Sequence, residues 1–145
     1  MDPILRPFRP EDLRELLNRD GPQGLTEQAA REYVRRGPGF TAVVDGHILG
    51  AAGILLASPG VGVTWMTVRE EINGHGVWLT RTVAAVLDDV ARLARLHRLE
   101  AVALHESLRN QRWLEVLGFT REQDGVARAY TPDGRDMIRY ERVRR

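Results

Sequence analysis

An Asp45-Gly46 pair lies between two apolar runs, Phe40 to Val44 and Ile48 to Ala57. Asp-Gly in that setting closes a two-residue hairpin, because both positions tolerate positive φ. A second turn, Ser58-Pro59-Gly60, leads into a third apolar run, Val61 to Val68. Three strands in antiparallel succession are therefore expected. After a polar, glycine-containing stretch, Arg69 to Gly76, the period changes from two to 3.6. Leu79, Val83, Val86, Leu87, Val90, Leu93 and Ala94 recur at helical spacing over roughly Val77 to His97, so one face of a long helix is buried. Leu99 to Leu104 then reads as a buried strand. A meander that feeds a strand–helix–strand crossover constrains the chain strongly. The crossover pair should be parallel and right-handed, and the meander antiparallel, which makes a mixed sheet with helices packed on it.

The flanks fit that frame. Ile4 to Phe8 is a short strand. Pro10 opens a helix with Glu11 and Asp12 in its first turn and Leu13, Leu16 and Leu17 on one face, and Asp20-Gly21-Pro22 ends it. Thr26 is the N-cap of a second helix, Glu27 to Arg36, which Gly37-Pro38 terminates. Near the other end, Arg109 to Leu117 is a short helix closed by Gly118. Val126 to Tyr130, the turn Pro132-Asp133-Gly134, and Arg135 to Val143 form a terminal hairpin. The expected order is β, α, α, β, β, β, α, β, α, β, β. The fold class is α/β in the loose sense, or α+β, in one domain spanning residues 1–145.

Composition narrows the function classes. A chain of 145 residues buries roughly 70% of its unfolded surface and needs no metal or disulfide to hold a core. It has no cysteine, which excludes disulfides, thiolate metal sites and a cysteine nucleophile. The four histidines show no metal-ligand spacing. No apolar run approaches a membrane span and no export signal is visible, so the cytoplasm is the expected compartment. With 21 basic and 20 acidic residues the formal charge is +1, without the basic excess usual in nucleic-acid binding. All 21 of these basic residues are arginine and lysine is absent, for which GC-rich coding is the plain explanation.

Two segments carry chemical information. Glu71-Ile72-Asn73-Gly74-His75-Gly76-Val77 is a glycine-containing turn entering the long helix. Backbone N–H groups and the helix dipole at such an entry suit a phosphate. The alternative is a loop whose glycines only satisfy turn geometry. It is neither a dinucleotide fingerprint nor a P-loop. The second segment, Ser107 to Phe119, is a short helix that ends in Leu117-Gly118-Phe119 and enters a strand.

Together, the element order, the turn and the Leu-Gly-Phe ending resemble the GNAT family of acyl-CoA-dependent N-acetyltransferases over nearly the whole chain. That family carries a Gln/Arg-x-x-Gly-x-Gly/Ala turn for the pyrophosphate of acetyl-CoA, and Gly74 and Gly76 match its last two fixed positions, with Leu79 at an apolar position just after. Three positions depart from the pattern. Glu71 stands where Gln or Arg is usual, Ser107 where the last helix often starts with Asn (Asn110 follows one turn later), and Leu114 where a Tyr often protonates the departing thiolate. A looser likeness, through Trp65-Met66-Thr67-Val68, His75 to Arg81 and Arg112-Trp113-Leu114, is to a phage-associated subgroup.

The resemblance implies acetyl-CoA as co-substrate, direct transfer to an amine, and a site in the cleft between the strands Val61 to Val68 and Leu99 to Leu104. Ile72, Asn73, Gly74, His75, Gly76 and Val77 would hold the pyrophosphate. Met66, Thr67 and Val68 would run along the pantetheine, with Ser107 and Asn110 nearby and a backbone N–H near Met66 facing the oxyanion. Ser107, His105 and Tyr130 are the catalytic candidates for the missing acid. No carboxylate stands out on Val61 to Val68 as a base. His97 ends a helix, Trp65 and Trp113 read mainly as core, Tyr33 and Glu32 border either an acceptor or solvent, and Arg139 to Arg145 alternate on an edge strand. The acceptor is a small-molecule or protein amine. A homodimer, or a phage-particle or assembly partner with virion association, is compatible. The alternative function is a GNAT-fold protein without catalysis that binds CoA or serves in phage assembly.

Overall fold

The computed structural model describes residues 1–17 and 26–144; the expected stop at Asp20-Gly21-Pro22 lies outside them. In chain order the elements are β1 (Ile4–Pro7), α1 (Asp12–Leu17), α2 (Glu27–Arg36), β2 (Gly39–Val44), β3 (His47–Ser58), β4 (Val61–Val68), a 3₁₀ turn (Glu70–His75), α3 (Gly76–Leu93), β5 (Arg98–Leu104), α4 (Leu108–Val116), β6 (Thr120–Ala127) and β7 (Met137–Val143). The seven strands form one sheet in the order β1-β2-β3-β4-β5-β7-β6. Its neighbours are antiparallel except β4 and β5, the pair joined by α3.

Local chemistry accounts for most boundaries. Asp45 at φ 48° and Gly46 at φ 77° make the left-handed pair expected of the first hairpin. The Thr26 hydroxyl accepts from the Ala29 N–H and starts α2. Helix α4 ends where the Phe119 N–H reaches the Leu114 carbonyl and the Gly118 N–H reaches that of Glu115, with Gly118 at φ 93°. This is the glycine-closed stop the sequence announces.

Helix α3 ends by the same pair of bonds, from Leu96 to Ala91 and from Arg95 to Arg92, but the left-handed residue is Arg95 at φ 54°. The helix therefore stops at Leu93 and not near His97. No glycine marks the stop, so the apolar period runs on past it. Strand β6 also begins six residues before the expected Val126. Its pairing with β7 steps from Arg121–Tyr140 to Val126–Ile138, and the bulged residues between break the alternation on which a sequence reading depends.

The parallel ladder between β4 and β5 is short. It pairs Val61 with Arg98, Gly62 with Leu99 and Val63 with Glu100, and then the strands part. One further bond crosses the fork, from the Thr64 hydroxyl to the Glu100 carbonyl at 2.9 Å.

Apolar packing divides between the two faces. Leu87 of α3, Leu114 of α4 and Leu117 just past its end cover Ile54, Leu99, Ala101, Ala103, Ile138 and Tyr140. On the other face Phe8, Leu13, Leu16 and Ala30 pack with Ile48, Ala51 and Trp65. That second core contains a buried acid. Asp12, 4% exposed, takes two bonds from Arg6 (2.7 and 2.9 Å), one from the Arg9 N–H (2.9 Å) and one from the Thr41 hydroxyl (2.7 Å). Burial pushes its pKa up; the bonds from Arg6, Arg9 and Thr41 pull harder and hold it below the ordinary carboxylate value.

Candidate active site

The fork opens a cleft of about 890 Å³ that passes through the sheet. Strand alternation decides which side chains face each mouth. On β5, Leu99, Ala101 and Ala103 point into the core under α3 and α4, so Arg98, Glu100 and Val102 point to the opposite face. On β4, a Cβ on Gly62 would meet Ile54, Leu96 and Leu99, whereas Trp65 packs with Phe8 and the α1–α2 core. One mouth therefore lies beside α3, lined by Leu79, Thr80 and Val83. The other lies beside α2, lined by Tyr33, Trp65, Glu100, Glu122, Arg139 and Tyr130.

The α3 mouth is built around the start of that helix. Its N-cap, His75, offers no side-chain cap, and no acidic residue stands in its first turn. Gly74 and Gly76 have no positive φ, and a Cβ on either would meet nothing within 4 Å. Gly76 is already helical, at φ −59° and ψ −40°. Neither glycine is required by turn geometry or by crowding. Their effect is to leave the backbone uncovered at the helix entry, which is what close approach of a ligand requires. Helix α4 is fixed to this turn. The Trp113 indole N–H donates to the Thr80 hydroxyl at 3.0 Å, and that hydroxyl donates to the Gly76 carbonyl at 2.8 Å.

The α2 mouth is polar on its β5–β7 side. The Arg98 guanidinium donates to Glu100 at 2.9 Å and also to Glu122 and Glu141. Glu100, Glu141 and Glu122 raise its pKa above the ordinary guanidinium value against the opposing effect of burial. Arg139 lies 3.7 Å from Glu122. Three carboxylates against two guanidiniums leave one net negative charge on this wall. Glu100 is the last β5 residue of the parallel ladder and so stands at the point of the fork. Arg98 engages one of its carboxylate oxygens; the other takes no side-chain hydrogen bond among the described residues.

Of the residues singled out in the sequence, Met66, Val68, Ile72, Asn73, Gly76, Asn110 and Tyr130 line the cleft, and Thr67, Gly74, His75, Val77, His105 and Ser107 do not. Thr67 is 3% exposed, and its hydroxyl has no hydrogen-bond partner among the described residues. Ser107 caps α4, its hydroxyl accepting from the Asn110 N–H at 3.4 Å. His105 is exposed in the turn after β5, where its N–H donates to the Asp136 carbonyl. Leu114 is buried in the core beneath α4. Tyr130 is 59% exposed at the rim.

The sequence reading missed Glu100 and Glu122. A glutamate between Leu99 and Ala101 was legible as one-sided burial of β5. Glu122 was not, because the β6 bulge carries it to Arg98. Tyr140, 2% exposed, also lines the cleft. Burial and then Glu115 push its phenol pKa up, partly offset by Arg121, so it stays protonated through neutral pH. Among the described residues no helix is long and apolar enough to cross a membrane, and no group of three or more His, Cys, Asp or Glu side chains is placed to hold a metal ion.

No protein-family model matches the sequence, and no curated protein matches it. Solved structures do match over nearly the full length. An IAA acetyltransferase from Bacillus cereus is 20% identical with a TM-score of 0.73, over 97% of this chain and 99% of that one. A variant of the spermidine N-acetyltransferase SpeG from Vibrio cholerae is 15% identical with a TM-score of 0.76, over 97% and 94%. A ribosomal-protein-S5-alanine acetyltransferase from Vibrio fischeri is 19% identical with a TM-score of 0.75, over 99% and 93%. The chain has the GNAT fold, with its mostly antiparallel sheet and single parallel pair at the fork.

Proposed function

We propose that the chain, acting as one domain, transfers an acetyl group from acetyl-CoA to an amine. One observation carries this reading most. At the entry to α3, Gly74 and Gly76 are demanded by neither backbone conformation nor packing, and they leave uncovered the backbone that a phosphate would approach. The residues present fit that ligand: Ile72, Asn73 and Gly76 line the α3 mouth, and Arg109 and Asn110 of α4 line the same cleft. Glu71 is exposed and outside the lining, so its carboxylate is free to turn away from bound phosphate. Beyond Val63 the β4 backbone no longer pairs with β5, and it is free to pair with an extended ligand along Met66 to Val68.

Acetyl-CoA supplies the acetyl group as an activated thioester. The protein then has three tasks. It admits the amine through the α2 mouth. It removes a proton from that amine, since an alkylammonium with pKa near ~10.4 is not nucleophilic at neutral pH. It stabilises negative charge on the reacting oxygen through a backbone N–H of β4 near Met66. Glu100 is suited to the second task, because it stands at the fork with one oxygen uncommitted among the described residues. With Leu114 in the core, proton return to the thiolate has no hydroxyl at that position. A thiol with pKa near ~8.5 leaves without strong assistance, and the lost general acid is worth roughly 10²–10⁴-fold in rate.

Thermal unfolding with and without acetyl-CoA tests the reading, with ATP as control. Ligand at ~100 times its Kd stabilises by about 2.7 kcal/mol, which raises Tm by roughly 5–10 °C for a domain of this size. Release of free thiol in an amine screen completes it. A shift without thiol release selects the second reading, which Leu114 favours: a CoA-binding protein that does not turn over. No shift at millimolar acetyl-CoA overturns both and directs the search to an assembly partner.

A further inference from the structure

The two walls of the α2 mouth differ in chemistry. One is aromatic. Tyr33 of α2 and Trp65 of β4 pack with ring centroids 5.4 Å apart and planes at 51°, and Phe8 backs Trp65 edge-on at 4.8 Å. Trp65 owes its place to two glycines. A Cβ on Gly53 would fall 2.6 Å from its indole nitrogen, and one on Gly39 3.3 Å from its ring. Tyr33 and Trp65 are both partly exposed, and both line the cleft. The acids of α2 do not reach into this wall: Glu27 is held by Arg14 and Arg31, and Glu32 by Arg35. The other wall is ionic, with Glu100, Glu122 and Arg139 facing the cleft and one net negative charge on the cluster.

We infer that the acceptor is a monoamine with an aromatic or bulky apolar body. Its ammonium meets Glu100 at the fork, and its body lies against Tyr33 and Trp65. This rests on the acetyl-transfer reading and gives that site its substrate class. A linear polyamine is the wrong shape of charge here. Its second ammonium would lie against the aromatic wall, where among the described residues no carboxylate receives it and a cation–π contact offsets only part of its desolvation. A short alkylamine satisfies Glu100 and leaves the rings wet.

The test is calorimetric titration of the full chain, with and without saturating CoA, using butylamine, phenethylamine and spermidine. Phenethylamine and butylamine carry the same charge, so their ratio reads the contacts of the apolar body, and Tyr33→Ala assigns those contacts to the aromatic wall. Burying one phenyl ring there is worth about ten-fold in affinity. We expect phenethylamine to bind about ten-fold more tightly than butylamine and more tightly than spermidine. Tyr33→Ala should reduce the ratio to about two, and Tyr33→Phe, which keeps the ring, should preserve it. A ratio near one in the unaltered chain, tightest binding by spermidine, or a ratio that survives Tyr33→Ala overturns the inference. Thiol release is measured separately. Selective binding without turnover removes the acetyl-transfer reading and leaves the ligand class standing; turnover without selectivity does the reverse.

Discussion

The molecule contains two ionic knots of opposite sense. In the α1 core one carboxylate, Asp12, serves Arg6, the Arg9 N–H and the Thr41 hydroxyl, and it is almost fully buried. At the fork one guanidinium, Arg98, serves Glu100, Glu122 and Glu141 on a face left partly open. The first joins α1 to β1 and β2, and its acid has no capacity left over. The second joins β5, β6 and β7, and among the described residues it leaves one oxygen of Glu100 uncommitted beside a cleft. Similar side chains therefore serve different ends. In a saturated, buried knot, removing one partner strands the other and is costly. In an unsaturated, half-open knot that loss is smaller, and a group is held ready for another molecule.

The largest expected effect separates these roles. Glu100→Gln should lower kcat/KM for the preferred amine by roughly 10²–10⁴-fold, with acetyl-CoA affinity within about two-fold of the unaltered chain. A loss below about ten-fold would place Glu100 with the structural knot. Asp12→Asn should do the opposite. It should cost about 2–4 kcal/mol in denaturant unfolding and leave the amine dependence unchanged in the protein that remains folded.

The same comparison has a pH form. Because the folded pKa of Asp12 lies below its unfolded value, its contribution is complete above about pH 4. It is lost as the pH falls through the lowered folded value. Chemical denaturation between pH 3 and 6 should show a decline at the acid end that Asp12→Asn flattens. An equal decline in the variant would assign the acid lability to other carboxylates.

Two smaller effects sharpen the contrast between helix entries. Ser107→Ala removes the α4 cap and should cost about 0.5–1 kcal/mol, with turnover unchanged, since Ser107 does not line the cleft. A loss of turnover beyond the loss of folded protein would restore it as a catalytic candidate. Gly76→Ala should stabilise α3 by about 0.5–1 kcal/mol, because Gly76 is already helical and unobstructed. It should also weaken acetyl-CoA binding. Gain in both properties would mean that no ligand approaches this backbone.

Most of the element order was legible in the sequence. Asp45-Gly46, Thr26 and Gly118 act through bonds within a few residues of themselves, so their local chemistry suffices. The α3 stop was not legible, because Arg95 adopts a left-handed conformation that its identity does not announce. The early start of β6 was hidden by a bulge, which has no period.

The site divides the same way. Gly74 and Gly76 were readable as a helix entry, since the signal is local. Whether turn geometry demanded them was decided only by the observed dihedrals and the empty space around them. Glu100 depended on knowing which face of β5 is covered. Glu122 depended on a bulge that brings it to Arg98 across β7, 24 residues away in sequence. Ser107 was singled out by its register at the start of the last helix and His105 by its place at the end of β5, and neither lines the cleft.

By itself the sequence determined the alternation of strands and helices, the hairpin turns and the helix caps, because propensity and hydrogen bonding over one turn are short-range. Only the tertiary structure decided where β4 and β5 part and which carboxylates meet at that fork. Those outcomes depend on twist, face and register summed over distant segments, and no single window of residues contains them.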